Sequence, residues 1–156
     1  EGLMGAAARG FKAAGAYVFG VIPEFFKESG FEGIFYEADE LHFTETMAER
    51  KQMMEDTCEA FVIVPGGIGT FEEFFQVLTL KQLGRHKKAI VIYNSQGYYD
   101  ELDRIMNEMA EKGFINDECK KLYKIVETKE EVAEYLERYS TDGVEWSRLK
   151  RNFEEE

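Results

Sequence analysis

Between residues 61 and 78 the chain runs Phe61-Val62-Ile63-Val64-Pro65-Gly66-Gly67-Ile68-Gly69-Thr70-Phe71-Glu72-Glu73-Phe74-Phe75-Gln76-Val77-Leu78. The first four residues are an uninterrupted apolar run and read as a buried strand. Phe71, Phe74, Phe75 and Leu78 recur at i, i+3, i+4 and i+7, which predicts one face of a helix. A glycine-rich turn joining a strand to a helix gathers backbone N–H groups where a phosphate can sit. The helix dipole adds partial positive charge at the same spot. A carboxylate is expected within the first turn of that helix. An anion cradle with an acid beside it points to chemistry on a phosphorylated small molecule.

The same alternation extends in both directions. Upstream, an alanine-rich helix over residues 6–14 closes at Gly15, with Gly2-Leu3-Met4-Gly5 read as a glycine turn entering it. Residues 17–22 form a strand ended by Pro23. Residues 24–40 form a glycine-punctuated loop with one helical turn, and residues 41–44 a short strand. A helix follows through Met47, Arg50, Met53 and Met54, with Thr46 and Glu49 in capping-box spacing. Downstream, Gly84 stops the helix that follows the glycine turn. A buried strand spans 89–93, a helix carries Leu102, Ile105, Met106 and Met109 to Gly113, and a short helix spans 117–122. A strand at 123–126 and a helix at 128–139 complete the domain. Strands alternate with helices, and the strands are apolar on both faces. This predicts an α/β architecture, an open parallel sheet covered by helices on both faces. Residues 1–139 read as a single nucleotide-binding and catalytic domain. Residues 140–156 read as a polar tail in which Trp146, Leu149 and Phe153 keep the spacing of an amphipathic helix. Ligands of open parallel sheets bind beyond the C-terminal strand ends. The turn at 65–70 lies at such an end, and Pro23 and Asn94 follow two other strands.

Composition narrows the function. The 156 residues carry a formal net charge of −12, which argues against a nucleic-acid surface, since phosphate neutralisation needs clustered Lys and Arg. Cys58 and Cys119 have neither metal-like nor redox-like spacing and fit a reducing, cytoplasmic compartment. His42 and His86 form no metal-binding pattern, so no metal is expected. No apolar run approaches the roughly 20 residues that a membrane helix needs. No nucleic-acid or membrane partner is expected.

Each candidate residue carries two readings. Gly66, Gly67 and Gly69 either permit a tight turn through positive φ or leave bare backbone for a ligand. Thr70 and Glu73 have the spacing of a capping box, a role that coexists with catalysis because a capped, dipole-biased carboxylate stays ionised. Arg50 lies on the apolar face of its helix, between Met47 and the Met53–Met54 pair. A charge there calls for an anionic partner, such as a bound phosphate or Glu73. Glu37, Asp39 and Glu40 read as a solvated loop rather than a metal site.

Met47-Ala48-Glu49-Arg50-Lys51 followed by Pro65-Gly66-Gly67-Ile68-Gly69-Thr70-Phe71-Glu72-Glu73 resembles the paired signature of the LONELY GUY (LOG) family. That family comprises cytokinin riboside 5′-monophosphate phosphoribohydrolases, often labelled lysine decarboxylases. The resemblance continues through Val77-Leu78-Thr79, Gln82-Leu83-Gly84, His86-Lys87-Lys88, Asn94 and Gly97-Tyr98-Tyr99. It also includes Gly2-Leu3-Met4-Gly5 and Gly20-Val21-Ile22-Pro23. It implies a Rossmann-like, doubly wound sheet, with Arg50 and Glu73 as the catalytic pair. It places nucleotide contacts at Lys51, Gly66, Gly67, Ile68, Gly69, Thr70, Glu72 and Thr79. Glu28 or Glu32 would supply a further acidic contact. The family opens with a strand–helix–strand unit before the GLMG element, so that unit is expected to be missing from this sequence. Leu80 stands where plant members usually have Trp.

The implied reaction is hydrolysis of the N-glycosidic bond of an N6-substituted adenosine 5′-monophosphate or of AMP itself. It releases the base and ribose 5-phosphate with no cofactor, in a homodimer or larger homo-oligomer. The alternative is a nucleotide- or molybdenum-cofactor-binding module without turnover, which would need neither Arg50 nor Glu73. A pyridoxal-phosphate decarboxylase fails on size and on the lack of a recognisable cofactor-lysine context.

Overall fold

The computed structural model describes residues 2–28 and 33–150, which fall into two compact units, Glu1–Cys58 and Glu59–Glu156. Both are α/β, with parallel strands flanked by helices. This is consistent with the Rossmann-like architecture expected from the alternation of strand and helix patterns.

The first unit runs α1 (Gly2–Ala13), β1 (Phe19–Pro23), α2 (Glu24–Glu28), β2 (Glu40–Thr44) and α3 (Met47–Thr57). The helix α1 starts at Gly2, so the GLMG element is its first turn rather than a loop before it. Gly2 enters with φ +83° and Gly15 follows the helix with φ +80°, a conformation that glycine adopts without a Cβ clash. β1 and β2 pair in parallel from Phe19 opposite Glu40 to Pro23 opposite Thr44. The burial of β2 alternates, so this strand is half-exposed rather than apolar on both faces. Asp39 does more than sit in a solvated loop. One carboxylate oxygen accepts from Lys12 Nζ at 2.6 Å and the other from the Val18 N–H at 2.8 Å. These two contacts, the Lys12 ammonium foremost, hold its carboxyl below the usual range. Thr46 caps α3 by accepting from the Glu49 N–H at 3.1 Å, while the Glu49 carboxylate reaches one residue further back, to the Glu45 N–H at 3.0 Å.

The second unit runs β3 (Ala60–Ile63), α4 (Ile68–Gln82), β4 (Ala89–Tyr93), α5 (Asp100–Glu111), β5 (Lys124–Val126), α6 (Lys129–Glu137) and α7 (Trp146–Lys150). Single 3₁₀ turns stand at Ser95–Gly97 and Asp117–Lys121. The strands form one parallel sheet in the order β3-β4-β5. Ile90, Val91 and Ile92 of the central strand are fully buried, as an apolar strand covered on both faces requires. Ile90 and Ile92 join a cluster with Phe74, Val77 and Leu78 of α4 and with Leu102 and Met106 of α5. Val91 alternates to the opposite face, where α6 packs on β4. The apolar stripe of α4 is displaced from the expected one. Val77 is buried, whereas Phe75 is 37% exposed. Thr128 and Glu131 form a complete capping box at the start of α6. In the tail, Leu149 is buried in the core and Trp146 packs against it, while Phe153 lies outside the described residues. Glu118, itself buried, accepts from Lys121 Nζ at 2.8 Å and from the Glu145 N–H at 3.0 Å, tying the segment before α7 to the core. No helix among the described residues is long and apolar enough to cross a membrane.

Lys81 is the anomaly of this core. It lies on the buried stripe of α4, 1% exposed, with Nζ donating to the Leu122 carbonyl at 2.6 Å and 5.0 Å from the Tyr139 ring centroid. Burial pushes its pKa from 10.5 down to about 8. Between those two values the unfolded chain binds the extra proton, so this residue makes stability rise with pH across that window. The Lys81→Met variant is expected to lose the rise. Unfolding free energies from urea titrations, compared between wild type and variant from pH 8 to 10.5, should swing in favour of wild type by on the order of 2 kcal/mol. A difference that does not change with pH would count against a buried, discharged amine.

Candidate functional site

In the second unit β3 delivers the chain to Val64 and Pro65, and Gly67 is the N-cap of α4, with φ −90° and ψ −156° and no side-chain cap. Thr70 is therefore the third helical residue and Glu73 the sixth. The expected Thr70–Glu73 capping box does not form, and the first turn of α4 contains no acidic residue. A capping threonine must stand before the helix in extended conformation. Here the Thr70 and Phe71 N–H groups already bond to the Gly67 carbonyl, at 3.0 and 3.3 Å, so the helix has closed before the threonine is reached.

The glycines of the turn are there for different physical reasons. None has positive φ, so none serves a left-handed turn. A Cβ on Gly66 would lie 2.1 Å from Thr70 Oγ1 and 2.9 Å from Thr70 Cβ, because that side chain folds back onto the Gly66 backbone. Gly66 is thus demanded by internal packing. A Cβ on Gly67 or Gly69 would meet nothing within 4 Å. The chain's own sterics require neither of these two glycines, and both leave exposed, bare backbone at the start of a 15-residue helix. The N–H groups of Gly67, Ile68 and Gly69 precede the first intrahelical bonds.

Two neighbouring tyrosines hold this turn. Tyr99 is buried, and its hydroxyl donates to the Val64 carbonyl at 2.7 Å. The Tyr98 hydroxyl donates to the Gly66 carbonyl at 2.6 Å. Burial pushes the Tyr99 phenol up to about 12, so it stays a donor at neutral pH. Both tyrosines follow β4, whose C-terminal end lies at the same edge of the sheet as that of β3. Asn94 shapes the connection, accepting from the Tyr99 N–H at 2.6 Å and donating to Asp100 Oδ1 at 2.7 Å. Sequence reasoning assigned these tyrosines no role. The available signal was the Asn94…Gly97-Tyr98-Tyr99 run directly after a strand.

The remaining candidates on α4 separate by face. Glu73 is half-buried, whereas Ile68, Glu72 and Thr79 are exposed, Ile68 at 90%. Thr79 shares a helical face with Ile68 and Glu72 but stands about 16 Å along the axis from Ile68, at 1.5 Å per residue. In the first unit Arg50 and Lys51 are half-buried on α3, and Arg50 Nε donates to the Val21 carbonyl of β1 at 3.2 Å. Glu28 ends α2, and Glu32 lies outside the described residues. No group of three or more His, Cys, Asp or Glu among the described residues is arranged to hold a metal ion. Two open clefts, one lined by Asn116, Asp117 and Arg148 and the other by residues of β2 and α3, do not include the turn.

Comparison with known proteins returns one consistent picture. Residues 4–136 match the family described as "Possible lysine decarboxylase". The cytokinin riboside 5′-monophosphate phosphoribohydrolase of Mycobacterium marinum is 42% identical over 113 residues, covering 72% of this chain and 59% of the relative. The protein of the same name in Mycobacterium tuberculosis is 41% identical over 113 residues with the same coverage. The Arabidopsis thaliana protein of that name, LOG4, is 34% identical over 139 residues, covering 89% of this chain and 64% of the relative. The chain thus spans 59% of the length of the mycobacterial relatives.

The glycine geometry predicts opposite outcomes for two alanine substitutions. Gly66→Ala should destabilise by about 1–3 kcal/mol through overpacking against Thr70, and Thr70→Gly in the same chain should recover most of that loss. Gly69→Ala should leave stability within about 1 kcal/mol of wild type, in the stabilising direction, because alanine is the better helix former. Thermal melts of the three variants check both statements.

Proposed function

From the premise that the chain belongs to the LOG family, we propose that it hydrolyses the N-glycosidic bond of adenosine 5′-monophosphates, N6-substituted or plain. The products are the free base and ribose 5-phosphate. The observation that carries this reading is the bare backbone at Gly67 and Gly69. The fold itself needs neither glycine, and the helix N-terminus behind them favours an anion. The 5′-phosphate is the group that such a cradle suits. Binding energy at the phosphate, remote from the reacting carbon, then positions the sugar.

In this reaction the bond from the ribose C1′ to the base breaks with its electron pair leaving on the base, and positive charge builds on the sugar. The Glu73 carboxylate stabilises that charge and takes a proton from the attacking water, whose oxygen bonds to C1′. The departing base collects a proton. Arg50 contributes a guanidinium for the phosphate or ribose, and its Nε bond to Val21 limits its rotation. Lys51, Ile68, Thr70, Glu72 and Thr79 are assigned to nucleotide contact by the family signature alone. The net charge of −12 favours a small phosphorylated substrate over a nucleic acid. We read the protein as cytoplasmic and homo-oligomeric. The exposed apolar side chains of Ile68 and Phe75 on α4 and of Leu83 just past its end support the second of these.

Incubation with AMP or N6-prenyl-AMP, followed by chromatography, should release free base together with ribose 5-phosphate. Glu73→Gln, which keeps the shape and removes the charge, should lower the rate by roughly 10²–10⁴-fold. Gly69→Ala should weaken nucleotide binding without loss of stability. Base release at the wild-type rate from Glu73→Gln would exclude this carboxylate from the chemistry.

A further inference from the structure

The clamp on the glycine turn has a consequence for the donors it presents. The carbonyl of Gly66 and the N–H of Gly67 belong to one peptide unit, and the chain contains no cis peptide bond among its described residues. In a planar trans peptide these two groups point in opposite directions. A bond that fixes the carbonyl therefore fixes the N–H as well. The Tyr98 hydroxyl makes such a bond to the Gly66 oxygen, at 2.6 Å. Accepting a hydrogen bond at oxygen also polarises the amide and makes its N–H a stronger donor. Tyr99 acts on a different peptide. Its partner, Val64, is joined to Pro65, which has no N–H to aim.

Tyr98 is set up for this task by its surroundings. Its ring meets Tyr99 edge-on at 5.0 Å between centroids, and Tyr99 in turn packs, tilted and at 5.6 Å between centroids, against Phe71 in the first turn of α4. The loop that carries the pair holds Gln96 at φ 56° and ψ 30°, the one non-glycine residue with positive φ among those described. Gly97 has φ +72° and sits so close to the Asp100 carboxylate that a Cβ would lie 2.6 Å from Oδ2. Strain of this kind persists where the surrounding structure over-determines it. Here the surroundings are the Asn94 bonds to Tyr99 and Asp100. Tyr98 itself stays 51% exposed, so its hydroxyl bond is not a requirement of core packing.

We propose that Tyr98 is a positioning residue for phosphate recognition: by holding the Gly66 carbonyl, its hydroxyl aims the Gly67 N–H at the 5′-phosphate of the substrate. The proposal rests on reading the turn as the phosphate site. The two fail separately when AMP and adenosine are titrated calorimetrically into wild type, Tyr98→Phe and Tyr99→Phe, each carrying Glu73→Gln so that AMP is bound and not turned over, with thermal melts of each protein. Tyr98→Phe should weaken AMP binding roughly tenfold, the loss of one well-aligned bond to an anion, with adenosine binding and melting temperature unchanged. Tyr99→Phe should lower the melting temperature and weaken AMP binding less than Tyr98→Phe does. If wild type binds AMP no better than adenosine, the phosphate reading of the turn falls and this proposal falls with it. If wild type prefers AMP and Tyr98→Phe keeps that preference undiminished, the proposal alone is overturned.

Discussion

The parallel pairing of β3 with β4 is the constraint on which the second unit depends. β4 is buried on both faces, so all of its ladder bonds must be satisfied by neighbouring strands, and β3 and β5 occupy both sides. Parallel strands end at the same edge of a sheet. The loop leaving β4 therefore lies beside the turn leaving β3, and Tyr98 and Tyr99 reach carbonyls more than 30 residues upstream in sequence. The shape of the turn is a by-product of strand direction, completed by local chemistry at two adjoining loops.

Within that turn, one residue type serves two ends. Gly66 yields its side-chain volume to Thr70, a requirement of packing inside the chain. Gly67 and Gly69 face open space, so the absence of a side chain is of use only to something that approaches from outside. The usual argument for glycine, access to positive φ, applies at none of these positions. It applies instead at helix ends, as at Gly84 and Gly113. Composition alone cannot separate these roles, since each is written with the same letter.

Much of the fold was legible because periodicity survives in the sequence. The buried run at Ala89–Tyr93, the Thr46 cap of α3 and the glycine stops each announce themselves within a few residues. The misread features involve competition between overlapping local signals. Thr70 and Glu73 carry the spacing of a cap, yet the helix nucleates three residues earlier, where bare glycine backbone already accepts the first intrahelical bonds. Phe75 fits the apolar stripe as well as Val77 does, and only the direction of the neighbouring sheet and helices decides between them. Lys81 sits at i+3 from Leu78 and i+4 from Val77, on the apolar stripe, so the buried lysine was visible as an inconsistency in the pattern. The Leu122 carbonyl that accepts its hydrogen bond was not visible.

Local sequence by itself determined the α/β class, the position of the glycine turn between a strand and a helix, and the family signature in which Arg50 and Glu73 stand as candidates. These follow from short-range physics: side-chain period, capping, and backbone freedom. Tertiary structure alone decided which glycines are bare, which hydroxyls hold the turn and where the tail helix docks. Those outcomes depend on distances between groups far apart in the chain. Such distances are set by strand order and packing, which no window of neighbouring residues contains.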